Sequence, residues 1–499
     1  MKRLIWTLLG LVLAAGVVGL AAGMSVVPNG APAPGLAPSS WACYQACVLP
    51  TDILTADFNQ DGWLDLAISC AGTGNVFYYQ NSCLPRGAFA LRPTPPGTVE
   101  TPNRFPNAQY LVAGHISGYN GYPDLAVVHS PNVSGQLTNI TIANNAGAPF
   151  GPIAPLALGV GTIIDIAGGN LTNNNVMDFA CLTTAALGVF GWNGTIYANL
   201  GGPLPMPGAE TPIALAIGDF DQNGWEDVAV VTDAPNLYVF FNARGGAFGA
   251  SLGPVAVAIA VPTAIDVGDF DADGFPDIVV VGNRPTTPPN GYPSGLAQVF
   301  INQVAPTVAA PSFLPLAAMR TWGFNARAVE AFDADGNGRD DFAVANWGSK
   351  TVTVFLADAI RLIADTRDTR GNTGPCLNPQ GMDPDRLQVW FQQFKIELQC
   401  GYYPTALASG DFDNNGKMDL AVALQSADEE LCAQNNSCIE VDYDIACGFV
   451  AGANGVVGQV GHSTLPVDPN ESQVCEPCKD CGGNTPPKPE IQTESDSKN

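Results

Sequence analysis

Five nine-residue stretches carry the side chains with the clearest chemistry. They read DFNQDGWLD (57–65), DFDQNGWED (219–227), DFDADGFPD (269–277), DADGNGRDD (333–341) and DFDNNGKMD (411–419). Each places an Asp or Asn oxygen at positions 1, 3, 5 and 9 and a glycine at position 6, and position 7 can offer its backbone carbonyl. A shell of carboxylate, amide and carbonyl oxygens suits calcium, a hard cation that takes six to eight oxygen ligands at about 2.3–2.6 Å.

The candidate ligand sets are Asp57, Asn59, Asp61 and Asp65 with the carbonyl of Trp63; Asp219, Asp221, Asn223 and Asp227 with that of Trp225; and Asp269, Asp271, Asp273 and Asp277 with that of Phe275. Asp333, Asp335, Asn337 and Asp341 with Arg339, and Asp411, Asp413, Asn415 and Asp419 with Lys417, complete the five. Calcium, about five ions, is the expected cofactor. An EF-hand would need a bidentate Glu at position 12 between two helices. Here position 12 is Ile68, Val230, Val280, Val344 or Val422, so that reading fails. Asp, Asn and Gly also favour plain turns, but turn chemistry alone does not require the same four oxygen positions five times.

The elements that hold these loops repeat with them. Two further copies are degraded: HISGYNGYPD (115–124) carries an extra residue, and NLTNNNVMD (170–178) has Asn170, Thr172 and Asn174 in place of the early ligands. The closing aspartates at 65, 124, 178, 227, 277, 341 and 419 are separated by 59, 54, 49, 50, 64 and 78 residues. An apolar segment precedes each loop and a β-branched run follows it, as in IALAIG and DVAVV, which reads as paired short strands. Further strands such as NVFYYQN, NLYVFFN, AQVFIN and TVTVFLA complete each unit. Seven units of four strands predict an all-β, seven-bladed β-propeller with calcium-binding hairpin loops.

These loops and their spacing resemble FG-GAP or VCBS repeats, as in the N-terminal β-propeller of integrin α subunits and many exported bacterial proteins. The resemblance covers about residues 50–462. It implies calcium bound at a hairpin within each blade, a stabilising role for that ion, and ligand surfaces elsewhere on the propeller. It weakens the metal reading for the second and third repeats. Nothing resembles an integrin leg, and the chain has no RGD, so the resemblance bears on fold and ion rather than on integrin biology.

Composition narrows the remaining classes. The 46 acidic against 20 basic residues give a net charge of −26, which repels nucleic acid and anionic membrane and favours divalent cations. Lys2 and Arg3 followed by an apolar run from Leu4 to about Ala22 predict an export signal over 1–23, with an uncleaved membrane anchor as the alternative. Residues 24–49 then form a linker, whose part from about 38 is a candidate strand for closing the ring. Residues 463–499 form a polar, Pro-rich tail with Cys475, Cys478 and Cys481, for which disulfides are favoured over a metal site.

Thirteen cysteines in an exported chain imply disulfides. Neighbours in sequence are Cys43 with Cys47, Cys70 with Cys83, Cys376 with Cys400, and Cys432 with Cys438, but connectivity stays open. Cys181 is the candidate buried thiol. The segment 364–385 is an expected long loop, followed by two expected strands carrying Leu387, Val389 and Phe391, then Phe394, Ile396 and Leu398.

Three scattered histidines and no familiar nucleophile, zinc or phosphate motif give no pattern for catalysis. The expectation is an exported, non-enzymatic, calcium-binding propeller, secreted or on the cell surface, that adheres to or binds an extracellular protein or glycan. The alternatives are a polysccharide-acting propeller enzyme or a disulfide-linked structural surface subunit.

Overall fold

The computed structural model describes residues 41–442, apart from 46, 82–87, 92–104, 117–120, 131–139, 146–149, 151–152, 157, 159–161, 195, 201, 286–292, 304–310, 362–387, 399–401 and 427–437. The expected signal segment, the C-terminal tail and the loop 364–385 lie outside the described residues.

Seven antiparallel sheets follow one another along the chain, each built on four strands, in sequence order except in the seventh, whose outermost strand comes from the start of the described chain. The first strands of blades one to seven are Pro50–Ala56, Tyr110–Gly114, Ile163–Gly169, Pro212–Gly218, Val261–Gly268, Ala326–Phe332 and Tyr403–Gly410. Each packs against the first strand of the next blade, and the seventh packs against the first, so these strands line the axis of a closed ring. Blades three and five carry one extra short strand, Leu204–Pro205 and Met319–Phe324. The seven-bladed β-propeller expected from the repeats is the observed fold.

The seventh blade draws on both ends of the described chain. Trp41–Gln45 pairs with Cys438–Asp442 as its outermost strand, beyond Asp419–Gln425 and Tyr403–Gly410. A ring closed this way has no junction held by side-chain packing alone, because backbone hydrogen bonds join the two ends.

The β-branched run after each loop is the second strand of its blade, and it is buried along its length because neighbouring blades cover both faces. Asp227–Thr232 and Asp277–Asn283 are buried at every residue. Among the described residues the core divides into seven clusters, one at each junction between adjacent blades. Loop position 2 supplies a residue to each junction: Phe58, Ile116, Leu171, Phe220, Phe270, Ala334 and Phe412. The aromatic ring inside the repeated DFD is therefore a wedge between blades.

One expectation meets a different outcome. The apolar residues after 387 belong to one strand, Gln388–Glu397, which is the outermost strand of blade six and pairs with Thr351–Arg361. Phe391 packs toward blade five, whereas Phe394, Ile396 and Leu398 pack toward blade seven. The change of phase thus marks two buried faces of one strand rather than two strands.

The cysteine connectivity left open by the sequence is fixed for one pair. Cys47 is bonded to Cys70, with Cα atoms 5.8 Å apart. Cys70 ends the second strand of blade one opposite Pro50, where the chain enters that blade. Cys181 is a buried free thiol within the second strand of blade three.

Candidate metal centres in the blade hairpins

All seven loops connect the first and second strands of their blades, so they lie on one face of the ring. In the five acidic loops the position 1 carboxylate accepts the N–H groups of positions 5 and 6. Asp219 receives Asn223 N–H at 3.0 Å and Gly224 N–H at 2.9 Å; Asp57, Asp269, Asp333 and Asp411 do the same. The position 5 oxygen accepts the N–H of position 7, as from Trp225 N–H to Asn223 Oδ1 at 2.8 Å. These bonds wind the chain so that the odd-numbered oxygens face a common centre.

Glycine at position 6 follows from backbone conformation. Its φ lies between 84° and 88° in Gly62, Gly224, Gly274, Gly338 and Gly416. A Cβ there would crowd nothing closely, so the left-handed φ, not space, excludes other residues.

Carboxylate oxygens converge within 4.8 Å in four loops: Asp219, Asp221 and Asp227; Asp269, Asp271 and Asp273; Asp333, Asp335 and Asp341; and Asp411, Asp413 and Asp419. The donors are all hard oxygens, which fits calcium and disfavours soft metals. In blade one, Asp57, Asp61 and Asp65 do not form such a group, and Asn59 Nδ2 donates to Asp61 at 2.9 Å. In blade five, Asp277 stands outside the carboxylate group formed by positions 1, 3 and 5.

The closing aspartate has a second role that the ligand pattern did not reveal. Asp65, Asp124, Asp178, Asp227, Asp277, Asp341 and Asp419 are all fully buried, including the two in degraded loops. In six blades one oxygen accepts the position 2 N–H, as from Phe220 to Asp227 at 2.9 Å. In blade three both the N–H and the hydroxyl of Thr172 take that place on Asp178. The other oxygen accepts an N–H from the third strand or just past it: Asn81, Asn145, Trp192, Asn242, Asn302 or Ala357.

Four of those partners are asparagines that continue the connection into the preceding blade. Asn81 Nδ2 donates to Phe412 O at 2.7 Å, Asn145 to Phe58 O at 2.7 Å, Asn242 to Leu171 O at 2.8 Å and Asn302 to Phe220 O at 2.7 Å. Every acceptor is a position 2 carbonyl. At these four junctions loop, third strand and neighbouring loop are thus joined by hydrogen bonds. The signal for these asparagines is in the sequence: NVFYYQN, NLYVFFN and AQVFIN all end in Asn.

Burial dominates the electrostatics. It pushes Asp227 and Asp341 up to about 8 and Asp65 to about 7, against the opposing effect of their N–H donors, with further upward pressure from the other loop carboxylates. Asp277 is raised well above the ordinary carboxylate range for the same reason. Asp271 rises to about 6 through burial and then the nearby Asp273 charge. A bound divalent cation would offset both burial and repulsion.

Other titratable groups show no comparable convergence among the described residues. His129 is buried, its ring bonded to Ser130 O and Thr141 Oγ1. Glu210 accepts from Thr232, Asn236 and Tyr238, and Glu330 from Ser409 N–H.

Residues 186–280 match a family model described as FG-GAP-like repeat, a span from the third strand of blade three into the second strand of blade five. No curated protein matches the chain. Similar solved structures include two crystal structures of BBS1N in complex with ARL6DN, soaked with lead and with mercury. They are 11% and 12% identical, with TM-scores of 0.45 and 0.43, and the matches cover 81% of this chain and 96% and 97% of those. That degree of likeness carries no functional weight. The chain folds as a seven-bladed β-propeller, and its residues 186–280 are similar to FG-GAP-like repeats.

Proposed function

We propose that this protein is an exported propeller whose hairpin loops bind calcium, and that it works without catalysis by presenting its surfaces to an extracellular protein or glycan. The observation that carries the calcium reading is the convergence of acidic oxygens in four equivalent loops on one face. Positions 1, 3, 5 and 9 and the position 7 carbonyl would hold the ion in those loops, and by composition also in 57–65. Calcium would supply positive charge to carboxylates that burial otherwise drives toward protonation. Because the closing aspartate also reaches the third strand, holding the loop helps to hold the blade. Export and an extracellular partner rest on the N-terminal sequence pattern and the acidic composition.

Terbium provides a direct test, because Trp63 and Trp225 occupy position 7 of two loops. Metal-stripped protein is expected to sensitise terbium luminescence on tryptophan excitation, and added calcium should quench it. The signal should fall when both tryptophans are replaced by phenylalanine. Absence of a calcium-displaceable signal from the folded protein would contradict the metal reading.

A further inference from the structure

A cavity of about 290 Å³ opens on the axis, lined by residues that include Thr51, Gln109, Tyr110, Arg327, Thr405 and Gln425. Thr51, Tyr110, Arg327 and Thr405 lie near the beginnings of the first strands of blades one, two, six and seven, and Gln425 ends the second strand of blade seven. Since the acidic loops follow the ends of the first strands, this cavity is at the opposite mouth of the channel.

Arg327 is the cationic group of this lining. Its guanidinium carbon lies 4.3 Å from the centroid of the Trp347 ring. Trp347 stacks on Tyr403 at 4.4 Å, and Lys350 Nζ lies 4.6 Å over the far ring. A cation–π contact orients a guanidinium without neutralising its charge or consuming its N–H donors. Among the described residues, Arg327 makes no ion pair or hydrogen bond. The nearby strand carboxylates are engaged elsewhere: Asp52 accepts Leu111 N–H at 2.8 Å and Glu330 accepts Ser409 N–H at 3.2 Å.

The remaining lining offers polar groups with capacity to spare. Gln425 makes no side-chain hydrogen bond among the described residues. Thr405 donates to Ala423 O at 3.2 Å and Gln109 donates to Asn107 at 2.7 Å, which leaves both an acceptor oxygen. An oriented guanidinium matches a carboxylate through two parallel N–H bonds, and surrounding hydroxyl and amide groups match a hydroxylated body. The volume is near the lower limit for small-molecule sites, ~300–1,000 Å³, so it accommodates a single sugar ring.

We infer that this axial cavity binds a hydroxylated carboxylate of about one sugar ring, of the uronic acid type, with Arg327 holding the carboxylate and Gln425 and Thr405 holding hydroxyls. This site uses none of the hairpin-loop residues, so it stands or falls separately from the calcium reading.

The test is a titration of the folded protein, with calcium present, using D-glucuronate, glucose and inorganic phosphate as probes. Glucuronate is expected to bind saturably at one site, at least tenfold tighter than glucose or phosphate. Arg327→Gln should weaken it tenfold or more, whereas Lys395→Gln, on the outer strand of blade six, should leave it unchanged. Gln425→Ala should weaken binding severalfold and serves as the second variant if Arg327→Gln does not fold. No saturable glucuronate binding would overturn the inference. So would equal binding of glucose or phosphate, or an unchanged affinity in a folded Arg327→Gln or Gln425→Ala protein. Failure of the terbium experiment would leave this result untouched.

Discussion

Asp227→Ala is expected to remove about 3–5 kcal/mol of folding stability, and Asp178→Ala to cost a similar amount although its loop lacks the early carboxylates. Asp227 is fully buried and accepts Phe220 N–H at 2.9 Å and Asn242 N–H at 2.7 Å. Truncation leaves two buried donors unsatisfied, at about 1–3 kcal/mol each, and frees Asn242 from the orientation that bonds it to blade three. Asp178 holds the Thr172 N–H and hydroxyl and Trp192 N–H in the same way. Denaturant unfolding with chelator present isolates this clamp from metal binding. Asp227→Asn, which keeps one acceptor but offers an amide N–H₂ to a donor, should fall between wild type and alanine. A loss below about 1 kcal/mol in both alanine variants would remove the clamp from the account.

Metal-free protein should be stabilised by acid over a range where calcium-loaded protein is destabilised by it. Asp65, Asp227 and Asp341 have folded-state values of about 7, 8 and 8, above the ordinary unfolded value of about 3.9. Between those limits the folded state holds more protons than the unfolded state, so stability is lost as pH rises from about 4 to about 8. Calcium reverses the sign, because protons then compete with the ion for the same oxygens. Melting temperatures from pH 5 to 8, with calcium and with chelator, check both slopes. With affinities of about 10⁻⁴–10⁻³ M, ~2 mM free calcium contributes about 0.6–1.8 kcal/mol per filled site. The separation between the two curves should therefore be widest near pH 8. Parallel curves would contradict coupling between the loops and folding.

The fold was legible because the repeated loop fixed the period and its flanks fixed the strand type. DLAVV and DIVVV read as strands since a second strand covered on both faces needs an unbroken β-branched run. The outer strand 388–397 was harder to read: blade five covers one of its faces and blade seven the other, so its alternation shifts phase in mid-strand. The Cys47–Cys70 bond depends on where the chain enters blade one, which no local spacing encodes.

The candidate site was legible as a ligand pattern and incomplete as a structure. Asp57 to Asp419 were identified by oxygen spacing, yet spacing alone gave no reason for the closing aspartate to persist in loops without the other ligands. Its contacts with Phe58, Ile116 and their equivalents, and with third strands some 15–25 residues farther on, supply that reason. The Arg327 cavity assembles side chains from four blades, with no common motif to mark it.

The central claim is that the loops are calcium cages coupled to the propeller's stability. Calorimetric titration of calcium into chelator-stripped protein, with thermal unfolding of the same sample, tests it most directly. About five equivalents bound, together with a raised melting temperature, is the predicted result. No heat of binding and no shift in melting would contradict it and reduce the loops to hydrogen-bonded turns.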